Sequence, residues 1–146
     1  METTPNFALP LLAVGQAQKE VFHNASLAIL DAILCAAVEE PPLNDPPASP
    51  AIGTSYIVGP APTSDWAGEA NCLATFTSGG WQFVTARDGL TAFIRSTGAR
   101  ALFRDGAWQS GSPIAPPAGG TIVDAEARSA IGLILSALAS HGVIAS

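Results

Sequence analysis

The sequence predicts an α+β domain: an N-terminal arm and helix, a small antiparallel β module of meander or barrel type, and a C-terminal helix. Three observations carry that expectation. Apolar residues recur at helical spacing over residues 19–38, the period drops to two between Thr54 and Ser110, and helical spacing returns after Asp124. At 146 residues, 48% hydrophobic and 12% charged, the chain suits one domain with its own core, or a protomer that buries much of its surface against partners. Disordered chains show the opposite, low hydrophobicity with high charge.

Residues 1–18 read as an extended arm, because Pro5 and Pro10 oppose regular structure. In the helix expected over 19–38, Phe22, Ile29 and Ile33 share one helical spacing and Leu27, Leu30 and Leu34 another. So broad an apolar face predicts burial on more than one side. Glu39 and Glu40 follow, unfavourably near the negative end of the helix dipole, and Pro41-Pro42 stop the helix. Residues 39–53, EEPPLNDPPASPAIG, form a stiff proline-rich connector.

The β module is expected over 54–110, where TSYIV, CLATF, WQFVT, TAFIR, ALFR and AWQ alternate with stretches rich in turn formers. A Pro/Gly tether over 111–123 leads to a helix over 124–142. Asp124 suits its N-cap, Glu126 its first turn, and Gly142 a Schellman-type stop. Ala127, Ile131, Ile134 and Leu138 form a short a/d-like seam, widened by Leu135. Such a helix either lies on the β core or associates with copies of itself.

A net charge of −6 with six basic residues argues against nucleic-acid binding, which needs clustered cations. Asp88 and Asp105 sit among Arg87, Arg95, Arg100 and Arg104, as on a solvated strand face. The first residues lack a basic secretory n-region, and IGLILSALA is too short to span a bilayer, so no membrane insertion is expected. Cys35 and Cys72 lie in apolar surroundings and fit either buried thiols or a disulfide.

No nucleophile elbow, zinc-protease helix motif or phosphate-binding loop is present, and no catalytic, cofactor or metal residue is expected. Glu20 and His23 have di-iron spacing, but the second helix does not supply the further carboxylates. Asp65, Glu69, Asp88 and Asp105 neighbour Gly or Trp in predicted turns and read as turn caps. Trp66, Trp81 and Trp108 lie near turns and suit either core packing or stacking on sugar rings, with Trp66 in SDWAGE the foremost glycan candidate. Gln16, Gln18, Lys19, Glu20, His23 and Asn24 form a polar string on an otherwise apolar helix start, either a solvated face or a hydrogen-bonding interface to another chain.

The stretch LPLLAVGQAQKEVFHNASLAILDAIL is followed by PPASPAIGTSYIVG at 46–59, DWAG at 65–68 and GGWQF at 79–83. Over residues 7–110 this pattern resembles a family of uncharacterised domains found in tailed phages and in gene transfer agents of alphaproteobacteria. The terminal DAEARSAIGLILSALASHGVI is similar to helices that close phage spike and fibre proteins. The resemblance implies a virion structural protein, a head-spike or tail-fibre base or adaptor, assembled in the bacterial cytoplasm and carried on the released particle. Its implied partners are copies of itself, three or five in a closed ring, with capsid or tail proteins and a fibre protein. The interface would use the polar string together with Ile131, Ile134 and Leu138. The alternative is a carbohydrate-binding module that contacts host capsular polysaccharide through Trp66, Trp81 and Trp108.

Overall fold

A computed structural model describes residues 2–13, 15, 19–121 and 124–144. Its α+β architecture joins an N-terminal helix, two small β-sheets and a C-terminal helix. The helices are α1 (Lys19–Ile33) and α2 (Ala125–Ser140). The strands are β1 (Ala37–Val38), β2 (Ser55–Ile57), β3 (Leu73–Thr77), β4 (Gly80–Val84), β5 (Thr91–Ile94), β6 (Arg100–Arg104) and β7 (Ala107–Ser110).

Every run that alternates in the sequence becomes a strand, but the strands do not form one module. They divide into a three-stranded antiparallel sheet, β2-β3-β4, and a four-stranded mixed sheet, β1-β5-β6-β7. The mixed character comes from β1, which pairs in parallel with β5 at Ala37–Phe93 and Val38–Ile94. This corrects the helix expected over 19–38. Helical bonding ends early because the carbonyls of Ala36 and Val38 accept from Phe93 N and Arg95 N, both at 2.8 Å. Long-range pairing there overrides local helix propensity. Glu39 is thereby moved away from the helix end and pairs instead with Arg95 at 3.3 Å.

The proline-rich connector is also put to use. Glu39 N donates to Ser55 O and Leu43 N to Ile57 O, both at 3.0 Å, so residues 39–43 satisfy the edge of β2 that β3 leaves open. Between β6 and β7, Asp105 (φ +53°) and Gly106 (φ +78°) make the two-residue hairpin turn that needs positive φ at both positions.

One core cluster joins both sheets to the end of α1, through Ala32, Ala36, Val38, Ile57, Leu73, Ala92, Ile94 and Ala101. A second lies on the other face of the three-stranded sheet, around Tyr56, Val58, Trp66, Cys72 and Ala74. That sheet is covered on both faces, which is why β2 is buried at every position. In the four-stranded sheet, β5 and β6 bury only alternate residues and leave their other face open.

Candidate functional site

The buried side of α1 carries Glu20, Asn24, Asp31 and Ala32, spaced to share one helical face. Against it lies the arm, which is closed into a loop by its own bonds. Thr4 N donates to Leu9 O at 3.0 Å, Leu11 N donates to Glu2 O at 2.9 Å, and Thr3 and Pro10 form an antiparallel bridge.

The carboxylate of Asp31 fills this loop. Its Oδ1 accepts from Thr4 Oγ1 at 2.5 Å and from Phe7 N at 2.8 Å, and its Oδ2 accepts from Asn6 N at 3.0 Å. Burial pushes the carboxyl up, but the hydrogen bonds from Thr4, Asn6 and Phe7 together outweigh it and hold Asp31 below its ordinary value. Among the described residues, the charge is stabilised by neutral donors alone. Further along the arm, Asn24 Oδ1 accepts from Leu12 N at 2.9 Å while Asn24 Nδ2 donates to Leu12 O at 3.0 Å. The side-chain amide thus bonds the backbone of one residue as a neighbouring strand would.

Glu20 Oε1 accepts from Gly15 N at 3.5 Å, a long bond, and its Oε2 is buried without a partner among the described residues. Pro5 closes the other side of the loop against Gly53. A Cβ at Gly53 would lie 2.7 Å from Pro5 Cβ, and φ there is +88°, so both close approach and backbone demand glycine.

Of the polar string, Glu20 and Asn24 therefore hold the chain's own arm, while Lys19 and His23 are exposed. Gln16 and Gln18 lie outside the described residues. Glu20 and His23 part company, one inward and one outward, and no three metal-ligating side chains converge among the described residues. The decisive group that sequence reasoning missed is Asp31, which lies outside the polar string. Its signal was a lone acid in an apolar helix, LAILDAIL.

Part of the apolar surface of α1 faces outward, against expectation, while Leu27, Ile29 and Ile33 are half-buried. Phe22 is 78% exposed, and Val21, Leu30 and Leu34 are also open. Beyond the end of the helix, Leu34, Phe93 and Arg100 line a shallow depression of about 220 Å³. A second, of about 400 Å³, lies beside it between Leu102 and Val143. No residue of α2 is buried, and Ile131, Leu133 and Ile134 are exposed, while Leu138 is half-buried.

The three tryptophans occupy different settings. Trp66 is fully buried, with Trp81 edge-on at 5.1 Å and Tyr56 tilted at 6.0 Å between ring centroids. It offers a sugar no ring face, which corrects its assignment as the foremost glycan contact. Its Nε1–H has no partner among the described residues. Trp81 is half-buried and also packs edge-on with Phe76. Trp108 is half-buried, rests on Phe103 and donates from Nε1 to Asn71 O at 2.9 Å. Both cysteines are free thiols, Cys35 exposed and Cys72 buried. Burial and the neighbouring Glu69 carboxylate push the Cys72 thiol up, away from reactivity.

A family model described as a protein of unknown function, DUF2793, matches residues 23–109, well over half of the chain. The chain belongs to this family. Within it, the DUF2793 match runs from His23 in α1 into β7 and takes in both sheets. The arm and α2 lie outside the matched DUF2793 span. No curated protein and no solved structure matches the chain. No helix among the described residues is long and apolar enough to cross a membrane.

Proposed function

We propose that this chain is a structural component of a phage-like particle, a homo-oligomeric base or adaptor that anchors a head spike or fibre. The observation that carries the reading is the amount of apolar surface left open on three elements. These are the outer side of α1 (Val21, Phe22, Leu30), the open face of the four-stranded sheet (Phe93, Leu102), and α2 (Ile131, Leu133, Ile134). A soluble monomer rarely leaves apolar patches of more than a few hundred Å² uncovered, and larger ones mark interaction sites. With 12% of residues charged, the chain also has little to solubilise such faces. The resemblance of the GQAQKE–HN segment and the GGWQF hairpin to phage and gene-transfer-agent domains supplies the class of assembly.

Three or five copies close such a ring, three for a fibre and five for a capsid vertex. The carbohydrate-binding alternative loses its foremost residue with the burial of Trp66. Antibody-gold labelling of particles purified from the native host tests the proposal. Gold at head vertices places the protein in a head spike, and gold at the tail tip places it in a fibre or baseplate adaptor. Absence of gold from intact particles overturns the proposal.

A further inference from the structure

We infer that the buried side of α1 is a binding site for main chain, and that in the assembled protein it takes the N-terminal arm of a neighbouring copy, each arm passing to the next α1. The inference rests on the homo-oligomer reading above and names the contact that fastens one copy to the next.

The arm meets α1 as a ligand meets a site. Its shape is its own: Leu9 N donates to Thr4 Oγ1 at 3.0 Å, Ala8 turns the chain at φ +52°, and the bonds between Thr4 and Leu9 and between Glu2 and Leu11 close it. Neither core cluster includes an arm residue. What joins the two is polar, and α1 reads chiefly main chain. Asp31 accepts from the N–H groups of Asn6 and Phe7, Asn24 bonds both the N–H and the C=O of Leu12, and Glu20 accepts from Gly15 N. Side chains of the arm are recognised only at Thr4 Oγ1 and at Asn6 Nδ2, which donates to Asp31 O at 3.4 Å. A preformed piece held by polar contacts leaves and docks again without opening the core. An arm of identical sequence fits the site whichever copy supplies it.

The tether has length to spare. Seven Cα steps separate Leu12 from Lys19. At about 3.3–3.6 Å each they reach roughly 23–25 Å. Within one chain, Leu12 is held at Asn24, five residues along the helix from Lys19. That is only about 8 Å along the axis. The surplus, on the order of 10–15 Å, exceeds the roughly 8–10 Å between the axes of packed helices. The α1 of an adjacent copy is therefore within reach. Gly15, at φ +110° with no described atom within 4 Å of a would-be Cβ, leaves the tether room to turn.

The arm makes the same bonds in either arrangement, so they cancel and the surface that neighbouring copies cover decides. Val21 and Phe22, 60% and 78% exposed, stand on the turn of α1 beside the tether. A neighbouring α1 close enough to receive the arm also shields them, and full burial of such a side chain contributes roughly 1.5–3 kcal/mol.

The test is photo-crosslinking in the full chain. A diazirine-bearing phenylalanine at position 7 keeps the N–H that Asp31 accepts. In a second chain, an aliphatic diazirine residue at position 5 reports the contact with Gly53. After irradiation, species are separated by mass under denaturing conditions and their linked peptides are sequenced. Position 7 is expected to link to residues 27–34, and position 5 to residues 51–54, both in species of two or more chains. Two contacts in register distinguish an exchanged arm from a chance meeting of neighbouring surfaces. Either link confined to species of single-chain mass, or interchain links that run elsewhere, overturns the inference. The particle reading falls by a separate result, the absence of gold from particles, whichever way the arms run.

Discussion

Thr4 and Asp31 meet across 27 positions of the chain, the hydroxyl of Thr4 donating to Asp31 Oδ1 at 2.5 Å inside a loop that closes around the carboxylate. This contact fastens the arm to α1, and through Pro5 and Gly53 to the connector as well. It works by burying a charge among neutral donors, an arrangement that is costly to disturb from either side.

Asp31→Ala is expected to destabilise the fold by about 3 kcal/mol, since charge-assisted bonds vanish and the backbone N–H groups of Asn6 and Phe7 lose their acceptor. Asp31→Asn keeps the volume but turns an NH₂ toward a donor, and about 2 kcal/mol is expected. Urea unfolding midpoints at neutral pH measure both. Equal midpoints for all three proteins would show that the loop contributes nothing.

The same carboxylate sets an acid limb in stability. Because the folded-state value of Asp31 lies below its ordinary one, its contribution is full above about pH 4 and is lost as pH falls through the folded value. The unaltered chain should lose stability more steeply below about pH 4 than Asp31→Asn does. Its donors are neutral, so raising the salt concentration should leave the difference unchanged. Parallel pH profiles for the two proteins would remove Asp31 as the cause.

Asn24→Ala should free Leu12 at a cost of about 1–2 kcal/mol, from two partly buried hydrogen bonds. Asn24→Asp keeps the bond from Leu12 N but sets a carboxylate against Leu12 O, and a similar cost follows. Hydrogen exchange reads this locally: the Leu12 amide should lose protection in both variants, while the amides of β3 and β6 keep theirs.

Gly53 and Gly68 separate strain from close approach. Both have φ near +90°, at +88° and +92°, but only Gly53 faces another atom, Pro5 Cβ at 2.7 Å from its would-be Cβ. Alanine at Gly68 should cost about 1 kcal/mol, the backbone penalty alone. Alanine at Gly53 should cost about 1–2 kcal/mol more and expose the arm to limited proteolysis. Identical costs would mean that the arm yields freely.

Trp66→Phe is expected to cost far less than Trp66→Ala. Alanine leaves a large cavity in a fully buried position, worth about 3–5 kcal/mol. Phenylalanine leaves a smaller one and removes a buried N–H that has no partner among the described residues. Thermal melts of the two variants give the comparison.

Strands β2 to β7 were legible because each rests on short-range information. CLATF and WQFVT become β3 and β4, TAFIR and ALFR become β5 and β6, and the Asp105-Gly106 pair forms the turn its residues demand. The ends of α2 were legible for the same reason. Asp124 accepts from Ala127 N at 2.8 Å, and Val143 N closes the helix by donating to Leu138 O at 2.9 Å. Residues 34–38 misled, since LCAAV carries no local mark that distinguishes a helix end from a strand. Their fate depends on β5, more than fifty positions away.

Apart from β1, the sequence by itself determined where strands, turns and caps fall, because period, chirality and capping chemistry act over a few residues. Tertiary structure alone decided which side of each helix is covered. In α1 the polar side turns inward because the arm brings donors to Asp31 and Asn24, and Phe22 and Leu30 are left outside. The buried carboxylate of Asp31 is stabilised because partners converge on it, and that convergence joins residues 4–7 to residue 31. No local pattern encodes it, and it is what leaves Phe22 and Leu30 of α1 outward.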